Sequence, residues 1–106
     1  MDTISNVKNP TTKAGDGMLH ILLCDDDAIF TEALKRLIEA QPEFNRRYMQ
    51  IECVHDPNAL KKAAVQKADM IFLDIDMGDV NGIALARQIR TIRKDAVLIF
   101  VTNYGE

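Results

Sequence analysis

Oxygen-bearing side chains follow three apolar segments of this sequence. Asp25 and Asp26 come directly after the first segment. Asp74 closes a later one, and Thr102 follows the last. Clustered carboxylates repel one another and need a cation, and a ligand set made of oxygens favours a hard ion, Mg²⁺ above all. A carboxylate beside such an ion can attack a phosphoryl group, and the ion and a hydroxyl can then neutralise charge on the phosphoryl oxygens.

The apolar segments predict the scaffold that must bring these groups together. The run of residues 70–74 is apolar until it reaches Asp74, which is typical of a strand buried on both faces of a parallel sheet. Open α/β sheets bind ligands at the carboxyl ends of their strands. If the first, third and fourth strands are neighbours, Asp25, Asp26, Asp74 and Thr102 converge on one pocket.

Strand and helix patterns alternate along the chain. Residues 48–54 alternate between apolar and polar, which predicts a half-buried strand at an edge, whereas Phe30 and Leu34 belong to a helical stripe. The order β-α-β-α-β-α-β predicts an α/β fold with an open, doubly wound parallel sheet. We expect strands at residues 18–24, 48–54, 70–74 and 96–101, and helices beginning near Asp27, Pro57 and Ile83.

Composition limits the classes of function. The 106 residues carry a net charge of −3, with 47% hydrophobic and 27% charged residues, and show no basic patch that would argue for nucleic acid. No apolar run approaches membrane-spanning length, and no signal peptide is evident. Cys24 and Cys53 fall in expected strands, so we expect free thiols in the cytoplasm. Residues 1–17 are expected to form a flexible leader and residues 18–106 the organised domain.

Four short motifs in order carry a family resemblance. They are ILLCDDD at 21–27, IFLDIDM at 71–77, NG at 81–82 and LIFVT at 98–102. With them the sequence resembles the CheY-like (flavodoxin-like) receiver domain of two-component response regulators. The residues around the second and fourth motifs most resemble regulators with LytTR-type DNA-binding output domains, which are LytR/AgrA-like.

This resemblance implies a role for each polar residue. Asp74 matches the phosphoacceptor, which takes its phosphoryl group from a phosphohistidine of a sensor histidine kinase. Asp25 and Asp26 match the acidic pair that binds Mg²⁺, with Asp26 as the direct ligand of the pair and Asp74 as a further ligand. Asp76 would give its backbone carbonyl to the metal, and Thr102 matches the switch hydroxyl. A receiver catalyses its own phosphorylation, so we do not expect an enzyme that turns over a substrate.

The sequence departs from the family pattern after the fourth strand. A complete receiver adds a fourth helix, a fifth strand ending in a lysine, and a fifth helix, and Lys94 lies before the fourth strand, on the wrong side of the sheet. We therefore expect a truncated copy that binds Mg²⁺ weakly and is phosphorylated poorly. Its fourth strand would be an open apolar edge that favours association, including pairing with another receiver.

Other interpretations of the same residues stay open at this point. Asp74-Ile75-Asp76 also fits the DxD motif of haloacid-dehalogenase-like phosphatases, with Thr102 as their second-motif hydroxyl. A non-catalytic fragment that pairs with a full-length receiver through the open edge is a further alternative. Residues 25–27 could also be ordinary turn and helix-capping residues.

Overall fold

Four parallel strands form the central sheet of the computed structural model, which describes residues 17–101. The strand order is β2-β1-β3-β6, so the predicted contact between the first, third and fourth strands of the sheet is confirmed. Nearly all of the predicted leader, and Thr102, lie outside the described residues. The elements are β1 (Leu19–Cys24), α1 (Ala28–Glu39), β2 (Met49–Val54), a 3-10 turn (Pro57–Ala59), α2 (Lys62–Lys67), β3 (Met70–Asp74), β4 (Asp76–Met77), β5 (Val80–Asn81), α3 (Gly82–Ile92) and β6 (Val97–Val101).

Side chains of the two central strands alternate between the faces of the sheet. Leu22 and Ile71 belong to the apolar core that includes residues of α2 and α3, whereas Leu23 and Phe72 lie with Phe30 of α1 around a small cavity. Successive strand residues point to opposite faces, so α1 covers one face and α2 and α3 cover the other. The prediction of a doubly wound α/β sheet is confirmed.

Two helices begin at capping residues close to strand ends. The side chain of Asp27 accepts a hydrogen bond from the amide of Phe30 at 3.0 Å, which confirms Asp27 as the N-cap of α1. The side chain of Asn81 accepts one from the amide of Ile83 at 2.8 Å at the start of α3. These caps satisfy free helix amides and end the preceding loops within a few residues of the sheet.

Two local predictions were wrong. The segment after Pro57, predicted as one short helix, is a 3-10 turn followed by the separate helix α2, because Leu60 between them has extended backbone angles. No strand was predicted between residues 70–74 and the helix beginning near Ile83, yet the two-residue strands β4 and β5 lie there and pair antiparallel. Gly78, with φ of +65°, lies in the turn between them, and this left-handed conformation favours glycine.

A buried ion pair lies at the end of the sheet opposite to Asp25, Asp26 and Asp74. Arg93 donates a hydrogen bond to the carbonyl of Ala68, and its guanidinium lies 3.8 Å from the carboxylate of Asp69 and 3.0 Å from that of Asp95. Asp69 in turn accepts from the amide of His20 at 2.9 Å. Removing one partner of such a buried pair destabilises a fold by about 3–5 kcal/mol. The pair therefore ties β1 and β3 to the end of α3.

The sheet has an open edge within residues 17–101. There β6 pairs only with β3, and Val97 and Phe100 are 43% and 41% exposed. On α1, the apolar side chain of Leu37 is 59% exposed. In the described part of the chain the fourth strand of the sheet is therefore a partly exposed apolar edge, as predicted. Over the same residues, no helix has the length and apolar character needed to cross a membrane.

Gly82 is required where α3 begins, because the chain passes very close to the end of β3. A Cβ atom at this position would lie 2.2 Å from the carbonyl oxygen of Asp74 and 2.7 Å from the Cα atom of Ile75. The Gly82 amide also donates to the Ile75 carbonyl at 2.8 Å. Only a residue without a side chain allows this approach, which holds the backbone just after Asp74.

We expect Gly82→Ala to lower the free energy of unfolding by about 1–3 kcal/mol, the usual cost of forcing atoms into a packed region. The displaced atoms would be backbone rather than a flexible side chain. Urea denaturation measures the loss, with Ala84→Ser in the exposed first turn of α3 as the control. Equal stability of the two variants would show that the segment yields without cost.

Candidate functional site

Three aspartates meet at the carboxyl edge of the sheet. One carboxylate oxygen each from Asp25, Asp26 and Asp74 lies within 4.8 Å of the other two, and we call this group the acidic pocket. Asp25 and Asp74 are 5% and 6% exposed, whereas Asp26 is exposed. The pocket forms because β1 and β3 pair with Cys24 opposite Leu73, so the residues that follow each strand are neighbours.

Short-range hydrogen bonds orient the two buried carboxylates. Asp25 Oδ1 accepts from the amide of Asp27 at 2.9 Å, and Asp74 Oδ1 accepts from the amide of Asp76 at 3.2 Å. Both contacts follow the turn pattern in which an aspartate bonds the amide two residues further on. The amide of Asp25 also donates to the carbonyl of Val54 at 3.1 Å, which ties the pocket to β2.

Negative charge accumulates in the acidic pocket. Burial raises the pKa of Asp25 to about 6; the hydrogen bond from the Asp27 amide opposes this rise, whereas the charge and close contact of Asp74 add to it. Burial, and then the charges of Asp25 and Asp74, raise the pKa of the Cys24 thiol to about 12. Two different groups therefore respond to the same excess of negative charge.

The acidic pocket has the properties of a site for a hard divalent cation. Asp25 Oδ2 is buried and accepts no hydrogen bond from any residue between 17 and 101. Buried carboxylate oxygens need a donor or a cation to compensate for lost hydration. Because the ligand atoms are all oxygens, the donor set fits Mg²⁺ better than a transition metal.

The structure brings together most of the predicted site residues. Asp25, Asp26 and Asp74 converge as expected, and Asp76 lies beside them through its amide contact with Asp74. Thr102 lies outside the described residues, so its position at the site stays a prediction. The NG motif is evident in the sequence, but the steric requirement for Gly82, its approach to the Asp74 carbonyl, depends on the fold.

Comparison with known proteins agrees with this geometry. Residues 21–106 match the model of the response regulator receiver domain. The sensory transduction protein LytT of Bacillus anthracis is 32% identical over 89 residues, which are 84% of this chain and 35% of that protein. LytR of Streptococcus agalactiae is also 32% identical, over 87 residues that cover 81% of this chain and 35% of its own length. The chain thus spans about a third of these relatives.

Solved structures show the same fold. TrrA from Thermotoga maritima, in complex with Mg²⁺ and BeF, is 31% identical with a TM-score of 0.65, over 83% of this chain and 72% of that one. A CheY-like receiver from Methanospirillum hungatei has a TM-score of 0.64 at 21% identity, over 84% and 67% of the two chains, which supports the fold alone.

These matches decide between the interpretations of the Asp74-Ile75-Asp76 motif. The family model covers all four sequence motifs, including the acidic pair that precedes the motif by a long stretch of chain. The haloacid-dehalogenase-like interpretation is therefore set aside. The chain belongs to the response regulator receiver domains of two-component systems.

Proposed function

We propose that the chain accepts a phosphoryl group on Asp74 from a phosphohistidine of a sensor histidine kinase, with Mg²⁺ in the acidic pocket. Two observations carry the proposal: three carboxylates converge at one edge of the sheet, and one of them, Asp25, has a buried oxygen, Oδ2, that receives no hydrogen bond from residues 17–101. The Mg²⁺ and BeF complex of TrrA, a relative of similar fold, supports the choice of ion.

The aspartates have different roles in the proposed cation site. Asp26, the exposed member, is proposed as the direct ligand of the acidic pair and buried Asp74 as a further ligand, while Asp25 supplies buried negative charge close to the ion. We propose the backbone carbonyl of Asp76 as a further ligand and the Thr102 hydroxyl as the donor to a phosphoryl oxygen. Bound Mg²⁺ would supply charge neutralisation for the phosphoryl oxygens.

The transfer itself exchanges one bond for another at phosphorus. A carboxylate oxygen of Asp74 forms the new bond as the bond from phosphorus to the donor imidazole breaks. The imidazole keeps the electron pair and takes up a proton from solvent. The hydrogen bond from the Asp76 amide holds the Asp74 carboxylate in one orientation for this attack.

Further aspects of the proposal concern location and partners. The free thiols of Cys24 and Cys53 agree with a reducing compartment, so we propose the cytoplasm. Pairing with another receiver through β6 is proposed because Val97 and Phe100 are exposed at that edge. We propose no direct contact with nucleic acid by this segment, and residues 18–106 as one receiver domain.

The raised pKa of Asp25 predicts how stability depends on pH. Without a cation, folding favours the protonated carboxyl, so stability from this group is greatest in acid and falls as pH rises from the ordinary carboxyl pKa to about 6. Mg²⁺ needs the carboxylate, so its stabilising effect should grow over the same range. Urea denaturation with and without Mg²⁺, across that pH range, measures both trends.

Asp25→Asn separates this effect from other titrations. The variant should be more stable than the wild type at neutral pH without Mg²⁺, and should lose most of the Mg²⁺ effect. Asp79→Asn, an exposed acid in the β4–β5 turn, is the matched control and should behave as wild type. A wild-type response to Mg²⁺ in Asp25→Asn would remove Asp25 from the metal site.

Phosphorylation of Asp74 can be tested with a small phosphodonor such as acetyl phosphate. Intact-mass measurement should show one added phosphoryl group in the presence of Mg²⁺, and none in Asp74→Asn. Labelling is expected to be slow, because Asp25 and Asp26 place negative charge beside Asp74, and this charge repels an anionic phosphodonor. Asp79→Asn should label at the wild-type rate.

Two results would count against the assignment. Equal labelling of Asp74→Asn and wild type would place the phosphoryl group on another residue. Repeated hydrolysis of a phosphate ester, rather than one stoichiometric modification, would favour an enzymatic function over a receiver.

A further inference from the structure

A second group of metal-ligating side chains lies outside the acidic pocket. Ligand atoms of Glu32, Cys53 and His55 are within 4.8 Å of one another. Cys53 lies in β2 and His55 just beyond its end, so the two-residue repeat of a strand directs both to the same side. Glu32 reaches the same point from α1, which packs against β2. Three separate positions in the fold therefore meet at one spot.

We propose that Glu32, Cys53 and His55 form a Zn²⁺ site, with water as the fourth ligand. A thiolate, an imidazole and a carboxylate are the three side-chain ligands that Zn²⁺ takes in proteins. The thiolate and imidazole distinguish this site from the acidic pocket, whose oxygens favour a harder ion. The proposal is independent of the phosphorylation of Asp74.

Small movements close the site around a metal. Zinc bonds of the usual lengths in a tetrahedron place ligand atoms about 3.4 Å apart, so the separations of up to 4.8 Å seen here must shrink by roughly an ångström. Glu32 and His55 are exposed and can turn without breaking the core, whereas Cys53 is half-buried and gives a fixed point. On binding, the Cys53 thiol releases its proton to solvent as the Zn–S bond forms.

The local charge favours a cation. The charges of Glu32, Glu39 and Glu52 disfavour the negative thiolate of Cys53, and the charge of Lys35 favours it. Three carboxylates against one ammonium leave a net negative field around the thiol. A divalent ion is therefore attracted to the site before it is coordinated.

The position also gives the site a structural consequence. A metal held by Glu32, Cys53 and His55 would link α1 to the end of β2. Between the two β2-side ligands, the carbonyl of Val54 accepts the hydrogen bond from the Asp25 amide. The link would brace the strand end that supports the acidic pocket.

Titration with Co²⁺, a coloured substitute for Zn²⁺, tests the proposal directly. The whole chain should bind one Co²⁺ with an intense thiolate-to-metal absorption band, and Zn²⁺ should abolish the band by displacement. Cys53→Ser should lose the band, while His55→Gln and Glu32→Gln should weaken Co²⁺ binding by about tenfold or more. Circular dichroism of each variant checks that the fold is retained.

Two controls separate this site from other binding. Asp25→Asn, which alters the acidic pocket, should keep the full band, and so should Glu43→Gln, an exposed acid elsewhere on the surface. No band at stoichiometric Co²⁺ in the wild type would overturn the proposal. A band that persists in Cys53→Ser would also overturn it, because the thiolate would then belong to Cys24. Because His55 is exposed, His55→Gln is the variant least able to disturb folding.

Discussion

The structure depends on holding mutually repelling carboxylates together at one edge of a sheet. Parallel pairing of β1 with β3 places Asp25 and Asp74 side by side, and both are almost fully buried. Like charges at this range disfavour joint ionisation, which is one reason why the pKa of Asp25 rises. Burial of the apolar strands supplies the free energy that keeps this arrangement folded. The repulsion between the carboxylates is relieved only when a cation binds in the acidic pocket or a carboxylate is protonated.

The surrounding backbone limits that repulsion without removing it. The amides of Asp27 and Asp76 each donate to one carboxylate oxygen. Gly82 lets the chain pass close behind the Asp74 carbonyl, so the loop that follows β3 stays near the site. The pocket therefore keeps a fixed geometry and an uncompensated negative charge, which are the two conditions for binding a small divalent ion. Family membership and local chemistry both support the proposed Mg²⁺ site.

Patterns within short segments predicted most of this architecture. Apolar runs that end in acids located β1 and β3, and their chain order implied the shared edge that unites Asp25 with Asp74. Features that depend on contacts between distant segments were missed. Leu60 interrupts a stretch with helical composition, β4 and β5 pair only because the turn brings them together, and the crowding around Gly82 involves backbone atoms that no sequence pattern reveals.

The central claim is that one divalent ion binds between the aspartates beside Asp74. A crystal structure of the chain with Mn²⁺ in place of Mg²⁺, phased to locate the metal by its anomalous scattering, tests it most directly. We expect one strong peak in contact with carboxylate oxygens of Asp26 and Asp74 and close to Asp25. An acidic pocket without a peak at saturating Mn²⁺ would contradict the account.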